Sequence, residues 1–311
     1  MHQGGVVVAL DLMSPMPDII WMPIAYVWKA ACLRHWRALS AAAVATFGLA
    51  AGALVHAAEL PLWEAGAGIA ILDFPDYRGS DQRHTLALPL PYLIYRGETF
   101  KADRGSVREE FFKNDRFDLH LSANGSIPVN SNDNAARRGM PDLDPTLEIG
   151  PNLTVKLMDS GSMELNLRFP LRAILATDFS HVSDQGWVFQ PQINLDLYDS
   201  LPISGWDLGL AAGPLYGNSR YHNYFYGVAA EFATPARPAY DARGGYGGLQ
   251  FIATLNKRFK SYWMGFFVRA DTVSGAVFED SPLIRQKDTF AAGFAIAWIF
   301  GRSAKMVESK E

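Results

Sequence analysis

The chain has 311 residues, 49% of them hydrophobic and 19% charged, with a formal net charge of −4 and a single cysteine. The acidic balance argues against a nucleic-acid partner, and the lone Cys32 excludes a disulfide framework or a thiolate metal site. Once a leader is set aside, the remaining length suits one large β domain or two smaller ones.

Ala38–Val55 is free of charge, follows Lys29, Arg34, His35 and Arg37, and ends in Val55-His56-Ala57-Ala58. A basic segment, an apolar run and small residues at its end make an export signal with a cleavage site. A lone membrane anchor is the competing reading, since about 18 apolar residues just span a bilayer. Residues 1–57 are therefore expected to be a leader outside the fold, with Met22 as an alternative start. Cys32 precedes the apolar run, which makes it a poor lipidation site.

Beyond the leader the chain alternates with a period of two. In Phe117–Asn124, Asp118, His120, Ser122 and Asn124 oppose Phe117, Leu119, Leu121 and Ala123. The pattern recurs in 146–157 and again in Met163–Arg172, where Glu164, Asn166, Arg168 and Arg172 oppose Leu165, Leu167, Phe169 and Leu171. It returns in 189–198, where Gln190, Gln192, Asn194 and Asp196 share a face. Strands of about ten residues have the length needed to cross the hydrocarbon layer at a tilt, roughly twice the soluble average. The apolar face then meets lipid and the polar face lines an interior. In the last strand, Phe290, Phe294, Ile296, Trp298 and Phe300 share one face, as an interfacial aromatic girdle requires.

The expected strands are 63–72, 84–95, 98–103, 106–112, 117–124, 146–157, 163–172, 188–198, 206–213, 247–256, 262–271 and 289–300. This is an all-β, antiparallel up-and-down transmembrane barrel of about twelve strands, with ten as the runner-up and both termini periplasmic. Residues 58–300 form the barrel and 301–311 a charged periplasmic tail. Short links fall at 113–116, 159–161, around Pro202 and at 257–261. Long links at 125–145, 173–187, 214–246 and 272–288 fall outside, which is the asymmetry of bacterial barrels.

Several ordered motifs point further. Pro75-Asp76-Tyr77-Arg78-Gly79-Ser80 is followed by Pro89-Leu90-Pro91-Tyr92 and Tyr95-Arg96-Gly97. Ser219-Arg220-Tyr221 precedes Tyr224-Phe225-Tyr226-Gly227, and Arg237-Pro238-Ala239-Tyr240-Asp241-Ala242 precedes Gly244-Gly245-Tyr246. Arg269-Ala270-Asp271, Gly275-Ala276 and Asp280-Ser281-Pro282-Leu283 complete the set. Together they resemble the MipA/OmpV family of outer-membrane proteins over the whole mature chain. The resemblance implies an outer-membrane β-barrel. For the family's namesake it implies a scaffold that joins a lytic transglycosylase to a bifunctional murein synthase. Tyr77, Arg78, Gly79, Ser80, Arg220, Tyr224, Tyr226, Tyr240, Arg269, Asp271, Ser281 and Pro282 are the motif residues it singles out.

Their chemistry can be read directly. Gly79 permits a tight turn and Arg78 can bind an acidic group, so this first outer loop is expected to pack on the barrel mouth. The tyrosines at 221, 224, 226, 240 and 246 form an aromatic cluster suited to closing that mouth or to stacking on a sugar. Gly244, Gly245, Gly247 and Gly248 lack the lysine and following helix of a phosphate loop. Arg269 and Asp271 fit a satisfied ion network inside the barrel. His120 and Ser122 share a strand face with Asp118 and Asn124, but no nucleophile-elbow motif accompanies them. The other mature histidines, His84, His181 and His222, have no metal-ligand spacing.

The expectation is thus a barrel of the bacterial outer membrane, in contact with lipid, with no catalytic, cofactor or metal site. Its expected task is to scaffold peptidoglycan-synthesising and -hydrolysing enzymes, with contact through the periplasmic turns and the tail. A small-solute channel or porin is the alternative, and a barrel hydrolase acting on lipid the minor one. The mixed-sign inward charges favour a closed or nearly closed interior, because twelve strands enclose little space.

Overall fold

The computed structural model describes residues 58–309 apart from 97–99, 104–105, 179 and 200–204. The leader and the turn around Pro202 therefore lie outside the described residues. The strands are β1 (Ala58–Pro61), β2 (Trp63–Pro75), β3 (Arg83–Arg96), β4 (Phe100–Asp103), β5 (Ser106–Lys113), β6 (Phe117–Ser126), β7 (Thr146–Asp159) and β8 (Met163–Thr177). They continue with β9 (Val182–Phe189), β10 (Gln192–Leu197), β11 (Asp207–Gly217), β12 (Gly245–Arg258), β13 (Tyr262–Thr272), β14 (Asp288–Arg302) and β15 (Met306–Ser309). One helix, α1 (Ser219–Tyr226), interrupts the all-β pattern in the longest outer loop.

Thirteen of these strands form one antiparallel sheet that returns on itself, since β14 pairs with β2 and both β8 and β11 pair with β9 and with β10. β9 and β10 are thus two halves of a single stave broken at Gln190-Pro191, where a proline nitrogen has no proton for the ladder. Counted as staves, the closed sheet has the twelve expected from the sequence.

Alternation sorts the side chains as lipid outside and lumen inside require. Leu171 is 47% exposed on the outer face of β8, while Asn166 on its inner face is 1% exposed. Asn166 stands in register with Asn194 of β10, itself buried. On β14, Phe290, Trp298 and Phe300 point out and Thr289, Ala291, Ala295 and Ala297 point in.

Two expectations need correction. The stretch 173–187 is not a long outer loop: β8 runs to Thr177 and β9 starts at Val182, so a link of four residues, 178–181, joins them. Leu175, Ala176 and Thr177 pair with Asp184, Ser183 and Val182 beyond the bilayer, where alternation no longer marks a strand. The C-terminal segment is not a free tail either. β14 continues to Arg302, and β15 pairs with β1 in a two-stranded ribbon at the periplasmic end.

Candidate functional site

The outer mouth is closed by four loops: 76–82, 127–145, 218–244 and 273–287. Each begins with local chemistry. In the first, the Asp76 amide donates to the Gln82 carbonyl at 3.0 Å and the Ser80 amide to the Tyr77 carbonyl at 3.0 Å, with Gly79 at φ +95° between them. In the third, the Asn218 side chain caps α1 by accepting the Tyr221 amide at 3.0 Å. In the second, buried Arg137 donates to Ser131 Oγ at 3.1 Å, the Phe225 carbonyl at 3.2 Å and the Pro141 carbonyl at 3.0 Å.

These loops share one apolar core in which Tyr77, Tyr226, Phe278 and Leu283 are buried with Val129, Leu143, Val228 and Val273. The Tyr226 and Phe278 rings stack with centroids 3.7 Å apart, and Tyr77 meets Tyr226 edge-on at 6.1 Å. Tyr77 Oη donates to the Leu283 carbonyl at 2.8 Å and Ser281 Oγ to the Tyr226 carbonyl at 2.7 Å. Burial pushes the Tyr77 and Tyr226 hydroxyls above the usual tyrosine range, so both remain protonated donors. His222, fully buried, places its ring 4.6 Å from that of Phe278. Its Nδ1–H donates to the Arg243 carbonyl at 2.7 Å, while Nε2 has no partner among the described residues. Burial holds its pKa below the ordinary histidine value, and the ring is neutral.

The motif residues separate into those that build this cap and those that rim it. Tyr77, Gly79, Ser80, Tyr226 and Ser281 lie inside, with Pro282 carrying the chain between Ser281 and buried Leu283. Tyr224 Oη donates to the Asp144 carbonyl at 2.9 Å, and Tyr240 forms a bridge with Val228. Arg220 is on the rim, paired with Asp184. Phe278, His222, Arg137 and Asn134 are equally central and were not singled out in the sequence. They lie in the outer loops and in the short helix α1, where only a folded core distinguishes them.

Beneath the cap a polar belt crosses the lumen wall. Arg78 descends from the first loop to bring Nε 3.1 Å from Asp271 Oδ1, and its Nη2 donates to the Leu249 carbonyl at 3.1 Å. Asp271 also accepts Arg269 Nε at 2.8 Å and Gln250 Nε2 at 2.9 Å. The belt continues from Gln190 Nε2 to Gln250 Oε1 at 2.8 Å, from Arg172 Nη2 to Gln190 Oε1 at 3.1 Å and from Arg172 Nε to Glu148 Oε2 at 3.0 Å. Gln190 and Gln250 meet across β11, where Gly213, in register with Gln250, has no room for a Cβ against the Pro191 carbonyl.

The rest of the lumen has two unlike sides. Asp118, His120, Asn152, Asn166 and Asn194 make a polar side. Ala70, Tyr92, Ile94, Trp263, Ala295 and Ile299 make an apolar one. His120 Nδ1 is 3.1 Å from Asp118 and Nε2 3.1 Å from Asn152 Nδ2, whereas Ser122 Oγ donates to the Gly150 carbonyl at 3.1 Å. The serine and histidine that share this strand face thus engage different partners. At the periplasmic end, buried Glu64 accepts Arg96 Nη2 at 3.1 Å and Arg258 Nε at 3.1 Å.

Comparison with known proteins agrees with this architecture. A family model described as MltA-interacting protein MipA matches residues 66–300. Outer membrane protein OmpV of Vibrio cholerae serotype O1 is 27% identical over 213 residues, covering 66% of this chain and 76% of that relative. Outer membrane protein Omp26La of Vibrio anguillarum is 25% identical over 213 residues with the same coverage, 66% and 76%. Among solved structures, the COG4313 outer membrane channel from Pseudomonas putida F1 overlaps with a TM-score of 0.44 at 12% identity, covering 81% of this chain and 100% of that one. The barrel assignment rests on the strand ladders and not on that overlap.

Proposed function

The chain belongs to the MipA family of outer-membrane proteins, and from that premise we propose that it is a scaffold for periplasmic enzymes that synthesise and hydrolyse murein. The observation that carries this reading is the closure of the outer mouth by a buried core and a charged belt. A general pore needs a continuous aqueous path, and here the outer mouth is filled by the buried loop core, which the Arg78–Asp271 pair ties to the wall. The motif residues Tyr77, Tyr226 and Ser281 are then explained as builders of the seal, which leaves partner contact to the opposite end.

The periplasmic end has a surface suited to that contact. The β1–β15 ribbon has two strands and therefore two outer edges able to accept a strand from a partner. The family is named for an interaction with MltA. The partners implied by the sequence resemblance are a lytic transglycosylase and a bifunctional murein synthase.

The test is a crosslinked pull-down of the mature protein from intact outer membrane, with captured proteins identified by mass. Enrichment of a lytic transglycosylase and a murein synthase over an equally abundant control barrel supports the scaffold. Capture of assembly factors alone overturns it. Deletion of residues 303–311 tests the ribbon: partner capture that survives it moves the contact to the turns.

A further inference from the structure

The barrel wall is discontinuous on one side. β3 pairs with β2 along its whole length, from Arg83↔Pro75 to Tyr95↔Trp63, but its ladder with β4 consists of Tyr95 and Arg96 alone. Across the gap, β6 pairs with β5 only between Asp118 and His120, while its upper half, Leu121–Ser126, pairs only with β7. Among the described residues, then, Arg83–Pro91 and Leu121–Ser126 border an opening with no strand between them.

Sequence chemistry fits an open edge there. Pro89 and Pro91 stand in the β2 ladder opposite Ile69 and Ala67. A proline fits a continuous ladder only where its nitrogen faces away from the partner strand, which points both at the gap. On the β6 side, the Gly125 amide is taken by Asn124 Oδ1 at 2.7 Å. The opening lies at lipid depth, because Ile69 and Ile71, opposite Pro89 and Ala87, are lipid-facing and over 40% exposed. Above, Gln82 Nε2 reaches the Asp133 carbonyl at 2.9 Å and Asn134 Nδ2 reaches Ser80 Oγ at 3.2 Å, so the outer loops form a lintel. The β4–β5 hairpin forms the sill.

Directly behind lies a cavity of about 240 Å³ that is bounded by the β6 edge at Asn124–Ile127. Leu72, Phe74 and Phe267 line one side of it, and Arg172, Gln190 and Gln250 the other. Unpaired backbone is not stable against hydrocarbon, and at membrane depth it is tolerated where it is buried in protein or lines a water-filled cavity. A cavity of this size suits a short alkyl chain and is too small for a two-chain lipid.

We propose that the gap between β3 and β6 is a lateral window through which a single-chain amphiphile with a short alkyl chain enters the lumen from the lipid. Its chain lies against Leu72, Phe74 and Phe267, and its polar head meets the Arg172–Gln190–Gln250 belt. With the mouth sealed, the window offers an approach from the lipid that leaves the cap in place. This activity goes beyond the scaffold and does not depend on it.

Two measurements test it. In the first, radiolabelled octanoate binds the protein in phosphatidylcholine nanodiscs, read by scintillation proximity. Saturable binding is expected, at least tenfold weaker in Ala291→Leu, which fills the cavity, and unchanged in lipid-facing Ala253→Leu. Absent saturable binding, or equal binding in Ala291→Leu and the unaltered protein, overturns the site. The second needs no cavity variant. Bimane on Asn124→Cys, at the window, is expected to be quenched by brominated acyl chains as strongly as bimane on lipid-facing Leu153→Cys, while Asn194→Cys on the far lumen wall is not. Quenching at Asn124 as weak as at Asn194 overturns the window.

Discussion

Arg78 Nε stands 3.1 Å from Asp271 Oδ1, although one residue comes down from an outer loop and the other comes up the barrel wall. This pair ties the cap to the barrel. Removing one member of a buried pair costs about 3–5 kcal/mol, and Asp271 keeps Arg269 and Gln250, so Arg78→Ala should fall near the lower bound. The expected outcome is a cap that opens: single-channel conductance in planar bilayers should rise above the closed baseline, with barrel heat-modifiability retained. Arg78→Lys should behave like the alanine variant, since one ammonium cannot serve Asp271 and the Leu249 carbonyl with the geometry of a guanidinium. A silent bilayer with Arg78→Ala would show that the rest of the cap core seals the mouth unaided.

The two faces of the barrel wall should respond differently to charge. Leu171 is exposed to lipid near the middle of its strand, so Leu171→Arg should cost about 2–4 kcal/mol in urea-refolding titrations into vesicles. Gln192 of β10, half-buried on the lumen side in register with Arg168, whose charge Asp196 pairs, should accept arginine for under about 1 kcal/mol. Equal penalties would contradict the assignment of faces.

That sorting of faces was legible in the sequence because lipid and lumen impose opposite chemistry on successive residues. Glu164, Asn166 and Arg168 proclaim it against Leu165, Leu167 and Phe169. The signal ends where the strands leave the bilayer, which is why the pairing of Leu175–Thr177 with Val182–Asp184 went unread. It also fails on β3, whose Leu86, Leu88 and Leu90 face the lumen while Ala87, Pro89 and Pro91 face outward, so both faces read as apolar. The cap is harder still. Its motif tyrosines were visible, but Phe278 and His222 acquire their meaning only when four loops without periodicity fold together.

Gly79 offers a narrower test of the first loop. Its φ of +95° disfavours any side chain, and a Cβ would come 2.5 Å from Ile284 Cδ1. Because Ile284 presents a flexible side-chain end, the backbone strain of about 1–3 kcal/mol should dominate. Gly79→Ala should increase trypsin cleavage at Arg285 in whole cells, since the Arg285 amide is held by the Gly79 carbonyl at 2.8 Å. Cleavage unchanged from the unaltered protein would mean that the cap absorbs the strain elsewhere.

His222 should make the seal sensitive to acid. Its folded pKa is lowered by burial, with Arg78 adding repulsion and the bond to the Arg243 carbonyl acting in the opposite direction. In an opened cap the imidazole regains the ordinary value of about 6.5. The open state therefore binds the extra proton more readily. The contribution of neutral His222 is complete above pH 6.5 and is lost as pH falls through the depressed folded value. Protonation would place a cation against Phe278, with Nε2 unpartnered among the described residues and Arg78 repelling it, so the cap should loosen between pH 7 and pH 5. Protease accessibility of residues 228–244, measured across that range, should rise on acidification. His222→Phe, which keeps an aromatic ring but cannot titrate, should flatten the profile. A profile equally steep in that variant would assign the acid response to another group.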